Sequence, residues 1–143
     1  MAITLGQRSL SRLDGVHPDL VRVIKRAAGM AKPDEEFTVL EGVRTPERQR
    51  ELYAQGRTKP GKIVTWTLKS NHFRNARTGF GHAVDLAPFP VDWDDHARFD
   101  RLANLIFRAA SIEGVAIRWG ADWDRDGKPR ERGESDSPHF ELA

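Results

Sequence analysis

The chain has 143 residues, enough for one domain with a genuine core. Its 38% hydrophobic and 31% charged residues are ordinary for a soluble globular protein, and the formal net charge of +2 is too small to mark a polycation. Cysteine is absent, which excludes disulfides, zinc fingers and thiol catalysis, so any zinc must be held by histidine and carboxylate.

The N-terminus, Met1 to Arg8, has no continuous apolar stretch and does not read as a secretory signal. The first strong helix starts at His17-Pro18-Asp19, with Pro18 and Asp19 suited to a first turn. Leu20, Val21, Ile24, Ala27 and Ala28 follow as one apolar stripe at helical spacing. Phe37–Glu41 reads as a strand. Thr45 is placed to cap a second helix that opens on Pro46 and stops at Gly56. Residues 57–81 read as loop, with a short strand expected over Ile63–Leu68, and Ala83–Ala87 as a strand. Residues 94–113 form the longest helix, with Phe99, Leu102, Ala103, Ile106 and Ala110 on one face and Gly114 after its end. Ala116–Trp119 is a strand, 120–136 a charged loop, and His139–Leu142 a closing strand. Helices and strands mix without βαβ alternation, which predicts an α+β fold: one compact domain, with a small antiparallel sheet packed on helices.

Alternation along the strands connects this reading to chemistry. Val84 and Leu86 would face the core and Asp85 the other side; Phe140 and Leu142 would face the core and His139 and Glu141 the other side. Asp85 and His139 would then share one polar surface, and His72, from the preceding loop, could complete a set of three. Catalytic zinc sites use three protein ligands and an open fourth position. Asp136, three residues before His139, is placed as a base. Among the five histidines, His17 reads as a helix-start residue and His96 as an exposed helix residue, while His82, three before Asp85, competes with His72 as a ligand.

Arg44 follows a strand and precedes a helix. It reads either as a cation for a substrate carboxylate or oxyanion, or as an ion-pair partner of Glu41 or Glu47. Asp122, Asp124, Asp126 and Gly127 imitate the first half of a calcium loop, but the usual twelfth-position Glu falls on Gly133, with Glu131 and Glu134 nearby; an ordinary acidic turn is the other reading. The basic run Arg44, Arg48, Arg50, Arg57, Lys59, Lys62, Lys69 and Arg74 suits nucleic acid, an anionic wall or membrane surface, or simply a solvated face. Trp66, Trp93, Trp119 and Trp123 read as packing residues, with one or two along a cleft.

Ser70-x-His72 with Gly81-x-Ala83-x-Asp85 resembles the Ser-x-His-x-x-Gly-x-Ala-x-Asp signature of the VanY/M15 zinc peptidases, and Asp136-x-x-His139 resembles their second signature. Glu41-Gly42-Val43-Arg44-Thr45-x-x-Arg48-Gln49 is similar to the segment carrying that family's substrate-binding arginine. Gly6 to Leu10 and Gly15 to Leu20 look like the start of the phage L-alanyl-D-glutamate endopeptidases. One departure is plain: eight residues, Phe73 to Phe80, separate the first histidine from the glycine where the common pattern has two.

The resemblance implies a zinc metallopeptidase of the endolysin type, cutting peptidoglycan between L-Ala and D-Glu. It implies His72, Asp85 and His139 as zinc ligands, Asp136 as catalytic base and Arg44 as clamp. It raises calcium at Asp122, Asp124 and Asp126 as a regulator. It implies one peptidase domain over residues 1–143 without a separate wall-binding module, a monomer with no nucleic-acid partner and no membrane insertion, held in the host cytoplasm until a holin gives it passage to the wall. Two alternatives stand beside it: a D,D-carboxypeptidase that trims terminal D-Ala, and a non-catalytic zinc-containing wall-binding domain.

Overall fold

The structure is a computed structural model that describes residues 5–63, 65, 70–131, 134 and 136–143. In chain order its elements are helix α1 (Gln7–Arg12), helix α2 (Pro18–Met30), a 3-10 turn (Pro33–Glu35), strand β1 (Phe37–Glu41), helix α3 (Pro46–Ala54), strand β2 (Ala83–Pro88), helix α4 (His96–Glu113), strand β3 (Ile117–Gly120) and strand β4 (Asp136–Leu142). The four strands form one sheet in the order β1-β2-β4-β3, antiparallel throughout. The α+β class and the single small antiparallel sheet packed on helices are as the sequence predicts.

The helix ends follow local chemistry. The His17 ring accepts from Asp19 N and caps α2, and the Thr45 hydroxyl accepts from Arg48 N and caps α3, each with proline at the first helical position. Asp95 caps α4, and Gly114 ends it in the left-handed region at φ +69°, where a side chain would be strained. Helices α2 and α4 pack together on one face of the sheet. Leu20, Val23, Ile24 and Ala27 meet Leu102, Leu105, Ile106 and Ala109 over Val39, Val84, Leu86, Trp119 and Phe140. Burying these side chains contributes about 1.5–3 kcal/mol for each large one.

Two elements differ from the sequence reading. Helix α1 lies where only a family motif was seen. It covers the open edge of β1: the Ser9 hydroxyl accepts Val39 N at 3.0 Å, and Arg12 Nη1 donates to Val39 O at 2.9 Å. Strand β4 starts at Asp136 rather than His139, so the charged loop is shorter than expected. The strand expected over Ile63–Leu68 lies largely outside the described residues.

The face of the sheet away from the helices carries the polar rows. Register sets Asp85 directly opposite His139 on one side, and opposite Glu41 on the other. A bulge at Leu40 shifts Glu41 into that row. The next row is Ala83, Glu141 and Arg118, across β2, β4 and β3. Among the described residues no helix is long and apolar enough to cross a membrane.

Candidate metal centre and active site

His72 reaches the polar row from the loop before β2. Its carbonyl accepts Arg44 N at 2.8 Å, and the neighbouring Asn71 carbonyl accepts His82 N at 2.8 Å, so the segment is stitched between the β1–α3 connection and the start of β2. The His72 Nδ1–H donates to Gly42 O at 2.8 Å. On β4, the His139 Nε2–H donates to Glu141 Oε1 at 2.8 Å. These outward bonds fix both tautomers. A carbonyl and a carboxylate can only accept, so the inward nitrogens, His72 Nε2 and His139 Nδ1, carry lone pairs.

Three acceptors therefore converge. His72 Nε2 lies 3.2 Å from His139 Nδ1 and 3.2 Å from Asp85 Oδ1, and His139 Nδ1 lies 3.4 Å from Asp85 Oδ1. Asp85 Oδ1 is buried and has no hydrogen bond of good geometry among the described residues. Three electron-rich atoms in a near-equilateral triangle repel one another unless a cation joins them. Tetrahedral zinc bonds of 2.0–2.2 Å need ligand atoms about 3.4 Å apart. The donor set and its spacing fit zinc.

Without the metal, a proton takes part of that role. Burial works against a charge on His139, but the neighbouring Asp85, Glu141 and Asp136 carboxylates prevail and push its pKa up to about 9. Burial would raise Asp85, yet His139 and His72 hold it well below the usual carboxylate range. His139 is thus raised above its unfolded value of about 6.5. Its contribution to stability is complete below about pH 6.5 and fades as pH rises to about 9. Metal-stripped protein is expected to melt at progressively lower temperature across that window, while the gain on adding zinc grows, because zinc must displace the proton. Thermal melts with chelator and with zinc, from pH 6 to 9.5, check this; a flat metal-free profile would contradict it.

The triangle lies in a cleft of about 650 Å³, whose walls include Glu41, Arg44, Gln49, Phe73, Trp123 and Asp136. Asp136 is half exposed, with Oδ2 3.8 Å from His139 Nδ1. Its seat in the cleft wall strips water from one side of the carboxylate, and the Asp85 charge lies near; both raise its pKa. Arg44 is spoken for by Glu41, to which Nε and Nη2 donate at 2.9 and 2.7 Å, and by Gln49 Oε1 at 2.8 Å. Of the two ion-pair partners considered, Glu41 is the one engaged. The same Nη2 lies 3.5 Å from Asp85 Oδ2, so the cation also borders the triangle.

Asp136 and His139 meet through a feature hidden in the sequence. Residues three apart on a regular strand point to opposite faces. Here Trp119 pairs with Phe140 but the next residue, Gly120, pairs with Asp136, so Ser137, Pro138 and His139 bulge out of the β3–β4 ladder. Pro138 has no N–H to lose there, and Trp119 Nε1 donates to Ser137 O at 2.6 Å to pin the bulge. Gly120 makes it possible. A Cβ at that position would collide with the Asp136 carbonyl oxygen and stand 2.8 Å from Asp136 Cβ and 3.0 Å from His139 Cβ. Gly120→Ala is expected to cost about 1–3 kcal/mol of stability and to displace Asp136 from His139. An unchanged melting temperature would show that β3 and β4 separate to admit the methyl group.

The whole chain, residues 1–143, matches the family described as phage L-alanyl-D-glutamate peptidase. The protein belongs to that family. It is 30% identical to the L-alanyl-D-glutamate peptidase of Escherichia phage T5, over the full length of both chains. It is 31% identical to the peptidoglycan L-alanyl-D-glutamate endopeptidase CwlK of Bacillus subtilis (strain 168), over 89% of this chain and 75% of that one. The crystal structure of the Serratia marcescens L-Ala D-Glu endopeptidase ChiX has a TM-score of 0.70 and 35% identity, covering 96% of this chain and 87% of that one.

The remaining candidates fall elsewhere. His82 turns away from the triangle: its Nε2 is 2.8 Å from Thr78 Oγ1 and its ring packs edge-on against His17. Of the eight residues Phe73 to Phe80, only Phe73 lines the cleft. The others close on themselves through Asn75 N to Phe80 O and Arg74 Nη1 to Gly79 O, at 2.8 and 2.7 Å. Trp119 is core, Trp123 stands 5.2 Å from the His139 ring, Trp93 is exposed, and Trp66 lies outside the described residues. In the basic run, Arg48 and Arg50 pair with Glu51 and Glu47 on the surface of α3.

Asp122, Asp124 and Asp126 come together with ligand atoms within 4.8 Å, and Asp124 also groups with Glu131 and Glu134. Buried Glu134 accepts Asp124 N at 3.1 Å through Oε2, and its Oε1 has no partner among the described residues. Crowding shows in Glu131: its bond with Asp126, slight burial and the Asp126, Asp124 and Glu134 charges push its pKa up to about 7. Proximity in sequence already pointed to Glu131 and Glu134; their convergence on Asp124 needed the fold.

Proposed function

We propose that this protein is a zinc-dependent peptidoglycan hydrolase of the VanY/M15 kind, a phage endolysin that cuts the L-Ala–D-Glu bond of the stem peptide. The observation that carries the reading is the triangle of His72 Nε2, His139 Nδ1 and Asp85 Oδ1, with the Asp136 carboxylate at its edge. The names of the relatives supply the bond.

His72, Asp85 and His139 would hold the zinc. When bound, zinc lowers the pKa of a water molecule to roughly 7 and polarises the scissile carbonyl. Asp136 takes the proton of the attacking water and delivers it to the leaving amine. Arg44, held rigid by Glu41 and Gln49, presents positive charge to the developing oxyanion, a kind of contact typically worth about 3–4 kcal/mol. Trp123 and Phe73 offer apolar walls for the stem peptide.

Purified peptidoglycan, digested with zinc-loaded protein and analysed by mass spectrometry, should yield fragments with a new D-Glu amino terminus. Free D-Ala as the sole product would favour the carboxypeptidase alternative, and no product would favour a wall-binding domain. The proposed setting is a peptidase domain acting as a monomer and released to the wall through a holin.

Calcium at Asp122, Asp124 and Asp126, with Glu131 and Glu134 closing the set, is the proposed regulator. Binding would neutralise the mutual repulsion of these carboxylates. Calorimetry on zinc-loaded protein should show calcium binding and a matching rise in rate; no heat at millimolar calcium would reduce the cluster to an acidic turn.

A further inference from the structure

Glu141 is the buried carboxylate that the mechanism above does not use. It lines the cleft floor but is not among the three converging atoms. Its Oε1 accepts the His139 Nε2–H at 2.8 Å; its Oε2 accepts Asn71 Nδ2 at 2.8 Å and Arg118 Nη2 at 2.9 Å. A buried carboxylate is costly unless its lone pairs are satisfied, and here each bond comes from a different part of the fold. Arg118 stands directly opposite on β3. Asn71 is the residue before His72. Glu141 is on β4, two residues beyond His139, on the same face of the strand.

From this arrangement, and resting on the zinc reading above, we propose that Glu141 is the positioning residue of the metal centre. Through Oε1 it holds His139 as the Nε2–H tautomer, with the Nδ1 lone pair facing His72 and Asp85. Through Oε2 and Asn71 it ties that ring to the segment bearing His72, so two ligands from distant parts of the chain are set by one carboxylate. Arg118 keeps the carboxylate charged and stops it rotating. Outer partners of this kind orient ligand rings and raise their basicity.

The test measures zinc affinity by competition with a chromophoric chelator, and the His139 tautomer by nitrogen-15 imidazole NMR, on wild type, Glu141→Ala and Glu141→Gln. Wild type is expected to bind one zinc with His139 as the Nε2–H form. Glu141→Ala is expected to bind about 10–100-fold more weakly, with His139 no longer held in one tautomer. Glu141→Gln keeps one oxygen that can accept from His139 but must then turn its N–H₂ toward the donors Asn71 and Arg118, so it is expected to weaken binding, though by less than alanine does. It serves as the deciding variant if the alanine protein does not fold. Wild-type affinity with an unchanged His139 tautomer, in a folded variant, overturns the proposal. Failure of the wild-type protein to bind zinc would overturn the metal reading itself, an outcome distinct from variants that match a zinc-binding wild type.

Discussion

Asp136→Asn protein is expected to keep its fold and its zinc and to cleave at least about a hundredfold more slowly, as removal of a general base demands. The substitution keeps the shape of the side chain. Asp136 is half exposed and its carboxylate is not one of the three convergent ligand atoms, so neither packing nor metal retention depends on its charge. What changes is the ability to accept a proton 3.8 Å from His139 Nδ1, at the edge of the triangle. Rates on purified peptidoglycan, normalised to zinc content, measure the effect. A zinc-loaded asparagine variant that lyses walls at nearly the wild-type rate would remove Asp136 from the mechanism.

The parts of this fold that follow local rules could be read directly. Proline and cap residues announce α2 and α3, and the apolar stripe of α4 is all buried. Strand alternation places Asp85 and His139 on the face away from Leu86 and Phe140, and pairing then sets them opposite each other. The legible portion ends where long-range pairing overrides period two. The bulge of Ser137, Pro138 and His139 brings Asp136 to the side of His139 against its spacing. Its enabling residue, Gly120, is one of twelve glycines in the sequence and carries no local mark. The Leu40 bulge likewise turns Glu41 toward Arg44. Residue types alone could not choose between His72 and His82, because the choice depends on which ring meets the Gly42 carbonyl. Asn71 and Arg118 look like unremarkable polar residues until the sheet brings both to Glu141.

The largest loss is expected from the ligands themselves. His139→Ala and His72→Ala should each lose stoichiometric zinc and fall to background cleavage, while His82→Ala keeps both metal and rate. Three acceptor atoms 3.2–3.4 Å apart form a site only as a set. Deleting one leaves two ligands, too few for the closed side of a catalytic zinc centre. His82 offers no such atom, since its ring is engaged with Thr78 and His17. Loss of the metal also has a consequence for stability that separates it from simple misfolding. His139→Ala deletes the group that takes up a proton in the empty site, so its melting temperature should no longer fall between pH 6.5 and 9 as that of stripped wild type does. Elemental analysis after gel filtration, with melts at both ends of that range, reads the two effects independently. Zinc retained by His72→Ala and lost by His82→Ala would place the metal elsewhere and break the triangle as its site.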